Sequence, residues 1–234
     1  MVNYPNASVY WLNGPCYNPS RGDDCPNNCR ICFRKWGMYT IEATNGYGIK
    51  EVYDLRLEER LAVKDFNEIK FQMESLLRRF LGRPYDEFVI CGQGEPTVEL
   101  DLILKLIEWT QGRYRKPVRL VTNGQGNLSN PGRDVVGELR EADLRNPAVD
   151  LIISISLLGY DISSYIRNCG PRFGEDAFPG VLEFAGRTLK VFGEKNTEIT
   201  SVMTDGVNVR EIEELAKRME YTNFRKRPEI SAIW

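Results

Sequence analysis

Cys25, Cys29 and Cys32 stand in the run Cys25-Pro-Asn-Asn-Cys29-Arg-Ile-Cys32, three thiols in one short polar segment. Thiols this close together in a long chain read as metal or redox ligands rather than as a disulfide framework. A cubic 4Fe-4S cluster normally takes four cysteine thiolates. Three at the gaps C-x3-C-x2-C therefore predict a cluster with one iron left open to bind a substrate. The competing reading is structural zinc with Cys16 as the fourth ligand, because tetrahedral zinc accepts four cysteines. Zinc loops usually come as two pairs, whereas Cys16 stands alone beyond Tyr17 to Asp24, and the chain's 0 histidines supply no imidazole.

Such a loop needs a scaffold, and the periodicity of the chain predicts one. Short β-branched runs alternate with longer amphipathic stretches, the pattern of parallel strands joined by crossover helices. Strands are expected at Ser8 to Asn13, Glu87 to Cys91, Val118 to Thr122, Asp150 to Leu157, Glu198 to Met203 and Phe224 to Ile230. Phe66, Ile69, Met73, Leu76, Leu77 and Phe80 recur at helical spacing, as do Ile212, Leu215, Ala216 and Met219. Asp65 with Glu68 and Asn208 with Glu211 have the spacing of capping boxes at the starts of those helices. Polar or Gly-rich turns follow the carboxyl ends of several strands, at Gly92 to Thr97, Asn123 to Asn127, Gly159 to Asp161 and Asp205 to Asn208. In parallel α/β architectures that face carries the active site. The cysteine loop follows the first strand and emerges on the same face.

At 234 residues, 42% hydrophobic and 27% charged, the chain suits one larger domain with a sizeable core. A formal net charge of -2 gives no general pull toward nucleic acid or membranes. No apolar stretch approaches a membrane span, and the amino terminus lacks the pattern of a signal peptide. A cytoplasmic location is expected, where cysteines remain thiols or ligate metal.

The run Cys25 to Cys32 closely resembles the cluster motif of the radical S-adenosylmethionine (SAM) superfamily. That resemblance implies an α/β fold, a partial (β/α)6 TIM-like barrel with parallel strands, as a single core domain over residues 1–234 with its cluster loop at 14–36. It implies a 4Fe-4S cluster on Cys25, Cys29 and Cys32, and S-adenosyl-L-methionine as the molecule on the open iron. An electron, from an external donor such as flavodoxin or ferredoxin, would then release a 5'-deoxyadenosyl radical. Cys91-Gly-Gln-Gly-Glu-Pro-Thr97 resembles the Gly-Gly-Glu-Pro motif, where Gly94, Glu95 and Pro96 match and Gln93 replaces the usual glycine. A carboxylate there suits the amino group of the methionine moiety through a charge-assisted hydrogen bond. Its plainer alternative is an ordinary strand-to-helix turn with Glu95 in the first helical turn. Thr122, Asn123, Ser154 and Ser156 resemble further shared positions, the two serines on one strand face by period-two alternation and implied near the ribose. Buried hydroxyls satisfied by neighbouring backbone are the alternative for these. Ile31 takes a place that is often aromatic and lies near the adenine.

A closer resemblance covers most of the chain. Tyr53-Asp-Leu-Arg-Leu-Glu58, Cys91 to Thr97, Thr122-Asn-Gly-Gln-Gly-Asn127 with Gly132-Arg-Asp-Val135, Ser154-Ile-Ser156, Pro171-Arg-Phe-Gly174 and Phe224-Arg-Lys-Arg-Pro228 together resemble the TatD family-associated radical SAM proteins. The segment Gly14 to Asp24 departs from that family as an insertion. One cluster is expected, because the last predicted strand ends four residues before Trp234. Cys91 and Cys169 are candidate hydrogen-atom or proton donors; small buried hydrophobes are their alternative role. Arg172 and Arg227 are candidates to meet an anionic substrate at the rim. Three functions remain open at this point: a radical enzyme acting on an unidentified substrate, for which a laterally open short barrel leaves room for a macromolecule; an enzyme that activates a partner protein by forming a glycyl radical; and a zinc-stabilised module that binds nucleic acid or protein.

Overall fold

The computed structural model describes residues 8–12, 25–30, 40–44, 50–54, 66, 67, 69–71, 74, 87–91 and 94–228. Six strands form one sheet: β1 (Ser8–Leu12), β4 (Glu87–Cys91), β5 (Val118–Thr122), β6 (Leu151–Ser156), β7 (Thr197–Met203) and β8 (Phe224–Pro228). They lie in chain order, and every neighbouring pair is parallel. All six fall where strands were expected; β6 and β7 differ by one residue at their ends, and Asn13 and residues 229–230 of the expected β1 and β8 lie outside the described residues. A second sheet, the antiparallel hairpin of β2 (Thr40–Thr44) and β3 (Lys50–Asp54), was not expected. Its signal was the Asn45-Gly46 dipeptide.

Helices occupy the crossovers: α1 (Leu100–Tyr114), the single turn α2 (Gly126–Ser129), α3 (Val135–Leu144), α4 (Ile162–Cys169), α5 (Ala177–Phe192) and α6 (Val209–Arg218). Phe66, Asn67, Ile69, Lys70, Phe71 and Glu74 are also helical; the rest of that expected stripe, and Asp65 with Glu68, lie outside the described residues. At α6, Asn208 caps Glu211 N–H at 3.3 Å. The full reciprocal box stands instead at α4, where Asp161 accepts from Ser164 N–H and the Ser164 hydroxyl accepts from Asp161 N–H.

The strands alternate in burial, which assigns their two faces. Val118 and Leu120, Leu151, Ile153 and Ile155, and Ile199 are fully buried on the outer face, beneath apolar stripes such as Leu100, Ile103, Leu106 and Ile107 of α1 and Val181, Phe184 and Ala185 of α5. Arg119, Ser154, Ser156 and Glu198 lie on the opposite, inner face. Removing the outer-face side chains from water is the main force that closes each βα unit onto the next. The polar carboxyl-end turns are left on one rim.

Candidate functional site

Only part of the thiol segment is described, residues 25–30, and it is firmly seated. Asn28 N–H donates to the Cys169 carbonyl at 2.7 Å and Arg30 N–H to the Asn168 carbonyl at 2.9 Å, while the Pro26 carbonyl accepts from Arg172 N–H at 2.8 Å. The orphan carbonyls at the end of α4 are thereby used to hold the loop. Gly170 closes α4 in the left-handed region with φ 49°, and a Cβ there would stand 3.2 Å from the Asn28 carbonyl oxygen. Only glycine meets both demands without strain.

A side-chain network joins this loop to the turn after β5. Gln125 Nε2 donates to Asn27 Oδ1 at 2.6 Å and to the Tyr165 hydroxyl at 2.8 Å. Gln125 and Tyr165 are both fully buried. Burial pushes the Tyr165 phenol well above its ordinary pKa, and the neighbouring Cys169 and Cys29 thiols add to the shift.

The same turn is fixed from its other side by Glu95. Its Oε1 accepts from Thr97 N–H at 3.1 Å and from the hydroxyls of Thr97 and Thr122, each at 2.6 Å. Oε2 accepts from Asn123 N–H at 2.6 Å. Glu95 is 1% exposed, and its burial raises the pKa against the lowering effect of those four bonds. Pro96 opens a short 3-10 turn, Pro96–Glu99, for which Glu95 is the N-cap. Glu95 thus ties the turn after β4 to the turn after β5. The sequence reading pointed it at an amine; here its described partners are the protein's own hydroxyls and amides.

A second hub occupies the inner face. Glu198 Oε1 accepts from Arg119 at 2.7 Å, from the Ser154 hydroxyl at 2.6 Å and from Arg225 at 2.6 Å. Arg119 also reaches Glu87 at 3.1 Å. Burial pushes the Glu198 pKa up, but the Arg225 bond, the Arg119 charge and the Ser154 bond outweigh it and leave the group lowered. Nearer the carboxyl ends, Arg227 Nη2 donates to the Ser156 hydroxyl at 2.8 Å. Thr200, paired in register with Ser156, is fully buried with its hydroxyl unpartnered.

Of the sequence-predicted residues, the structure brings Glu95, Thr122, Asn123 and the loop bearing Cys25 and Cys29 into one connected network. Gly94 is half-buried at the same turn. Ser154 and Ser156 belong to the inner-face set. Cys169 is buried at the end of α4. Cys91 ends β4, its side chain lies outside the described residues, and so do Cys32 and Ile31. Sequence reasoning gave no role to Gln125, Asn27 or Tyr165, although Gln125 lies inside the quoted run Thr122 to Asn127.

The residues present fit the implied groups. Cys25 and Cys29 are half-buried thiols on a backbone held at three points, suited to ligate a cluster that also touches solvent. The unpartnered Thr200 hydroxyl beside Ser156 offers hydrogen-bonding capacity to a polar ligand on the inner face. Among the described residues no group of three potential ligands stands together; the third thiol, Cys32, lies outside them. No described helix is long and apolar enough to cross a membrane.

No protein-family model matches the chain, and no curated protein matches it significantly. Solved structures do. SuiB of Streptococcus suis, in a crystal structure bound to precursor peptide SuiA, aligns with a TM-score of 0.55 at 14% identity over 100% of this chain and 43% of that one. The protein anSMEcpe with bound AdoMet aligns with a TM-score of 0.57 at 18% identity, over 96% of this chain and 52% of that one. The chain thus spans about half the length of these structures. Together with the sheet order, the likeness shows the fold to be an α/β partial barrel of parallel strands.

Proposed function

We propose that the chain is a radical SAM enzyme with one 4Fe-4S cluster on Cys25, Cys29 and Cys32 and S-adenosyl-L-methionine as cosubstrate. The observation that carries this reading is the hydrogen-bonded path from the thiol loop through Asn27 and Gln125 to the Thr122–Asn123 turn that Glu95 holds. A structural zinc knuckle has no need of such a link to the strand ends. The bound cluster would supply one electron to break the sulfonium bond and release a 5'-deoxyadenosyl radical.

The chain's own residues bind and orient. Glu95 keeps the Asn123 turn in one conformation, so the backbone around Gly94 and Asn123 meets the methionine moiety without reorganising. Ser154 and Ser156 serve the ribose, Ile31 packs on the adenine, and Cys91 and Cys169 are the candidates to move a hydrogen atom or proton. The electron comes from an external donor such as flavodoxin or ferredoxin in the cytoplasm. Within the superfamily, the ordered motifs from Tyr53 to Pro228 favour the TatD family-associated group. A macromolecular substrate is supported by a fold neighbour bound to a precursor peptide.

Anaerobic reconstitution with iron and sulfide, followed by dithionite and S-adenosylmethionine, tests the proposal. The expected product is 5'-deoxyadenosine. Its absence above a protein-free control, with a cluster demonstrably present, overturns the reading, and one zinc per colourless chain isolated without oxygen replaces it with the binding module.

A further inference from the structure

One residue at the end of α4 joins the thiol loop to the turns that follow two strands. Asn168, 3% exposed, donates from Nδ2 to the Leu158 carbonyl at 2.6 Å and to the Gly206 carbonyl at 3.2 Å. Leu158 lies two residues beyond the end of β6, and Gly206 lies in the turn after β7. The main-chain carbonyl of Asn168 accepts from Arg30 N–H at 2.9 Å. Both side-chain partners are carbonyls, so the amide nitrogen, not the amide oxygen, must face them.

A helix end needs its last carbonyls satisfied, and at Asn168 the main chain does that with Arg30. The side-chain amide is left for another task, and it is spent on the two strand turns. The ends of this strut are residues the enzyme reading uses. Arg30 stands between Cys29, a ligand of the proposed cluster, and Ile31, the proposed adenine contact, while Leu158 follows Ser156, proposed for the ribose. Arg30 meets the β7 turn a second time, since its Nη1 lies 3.8 Å from where a Cβ on Gly206 would stand. With both amide protons committed in a buried site, the loop and the strand ends have little freedom to drift apart.

We propose that Asn168 is a positioning residue that fixes the separation between the thiol loop and the carboxyl ends of β6 and β7, so that one cosubstrate engages both at once. The inference rests on the enzyme reading above. A ligand held at two places outbinds its halves only if those places stand at its own span, and the gain is the effective concentration of the second half once the first is bound. Asn168 acts through that separation rather than by contact with either half. Loss of its amide should leave the halves bound as before while the whole molecule loses affinity.

Asn168→Leu keeps the size of the side chain and removes both donors, while the main-chain carbonyl that holds Arg30 remains. The wild-type chain and this variant are reconstituted anaerobically with iron and sulfide and kept oxidised. Calorimetry then measures S-adenosylmethionine, L-methionine and 5'-deoxyadenosine separately. At equal iron content the two fragments should bind the variant as they bind wild type, and the dissociation constant for S-adenosylmethionine should rise about tenfold. An unchanged constant for S-adenosylmethionine overturns the inference, as does a matching loss of both fragments, which would mark Asn168 as structural support only. Either result leaves the enzyme reading standing. If wild type takes up no cluster or binds no S-adenosylmethionine, the enzyme reading falls and this inference falls with it. Should Asn168→Leu fail to fold, Asn168→Ala, smaller and equally without a donor, is measured in the same way against the same outcomes.

Discussion

Two glutamates, Glu95 fully buried and Glu198 partly so, organise this molecule, and they do it by opposite means. Glu95, between the β4 and β5 turns, is surrounded by neutral donors: two hydroxyls and two backbone amides. Glu198, on the inner face, is held by two guanidinium groups and a hydroxyl. Burial dominates the first and raises its pKa, whereas the arginines dominate the second and lower it. A neutral cradle fixes geometry without adding positive charge beside the rim. A charged one pins four strands together, β5 to β8, but leaves little carboxylate capacity for a ligand.

The largest test of that contrast is Glu95→Ala. It orphans four buried donors at once, so unfolding free energy should fall by about 3 kcal/mol, measured by urea denaturation of the metal-free chain. Binding of S-adenosylmethionine to the reconstituted protein, followed by calorimetry, should fall with it. Glu198→Ala should cost about 2 kcal/mol, because it leaves Arg119 and Arg225 facing one another in a part-buried site. Salt separates the two variants. The Glu198 effect should shrink when the titration is repeated in molar salt, while the Glu95 effect, which involves no ion pair, should hold. Thr122→Val removes one of the four bonds to Glu95 and should cost about 1 kcal/mol. A loss as large as that of Glu95→Ala would show that the threonine, not the carboxylate, is the centre of the cradle.

The smallest effect is one of sign. The folded-state pKa of Glu95 is raised above the ordinary 4.5, so its contribution is full below that pH and is lost as pH rises through the raised value. Glu198 is lowered from 4.5, so its contribution is present above that pH and is lost as pH falls through the lowered value. Stability measured against pH should therefore change slope in opposite directions in Glu95→Gln and Glu198→Gln. Parallel changes would mean that the two carboxylates share one electrostatic environment.

Much of the scaffold was legible because parallel strands buried by helices are written as apolar, β-branched runs, most plainly in β5, β6 and β7. The hairpin of β2 and β3 was overlooked because its strands mix Thr, Glu and Lys with few apolar residues, leaving Asn45-Gly46 as the main cue. At the site, residue types were readable but partners were not. Glu95 reads as a lone acid in a glycine turn, and nothing local to it announces a threonine hydroxyl from position 122. Gln125 and Tyr165 acquire meaning only when the chain brings Asn27 alongside, across separations of 98 and 138 residues.

The seat of the thiol loop has a consequence for biogenesis. The carbonyls that grip Asn28 and Arg30 belong to Cys169 and Asn168, so the cysteines leave the ribosome long before their mooring exists. At about 5–20 residues per second the wait is roughly seven to thirty seconds. During that interval the nascent thiols have no mooring on α4, and iron delivered then would meet a pliable ligand set. On the proposed cluster reading, loading is accordingly tied to the emergence of α4, which makes the state of assembly, rather than thiol availability, the gate.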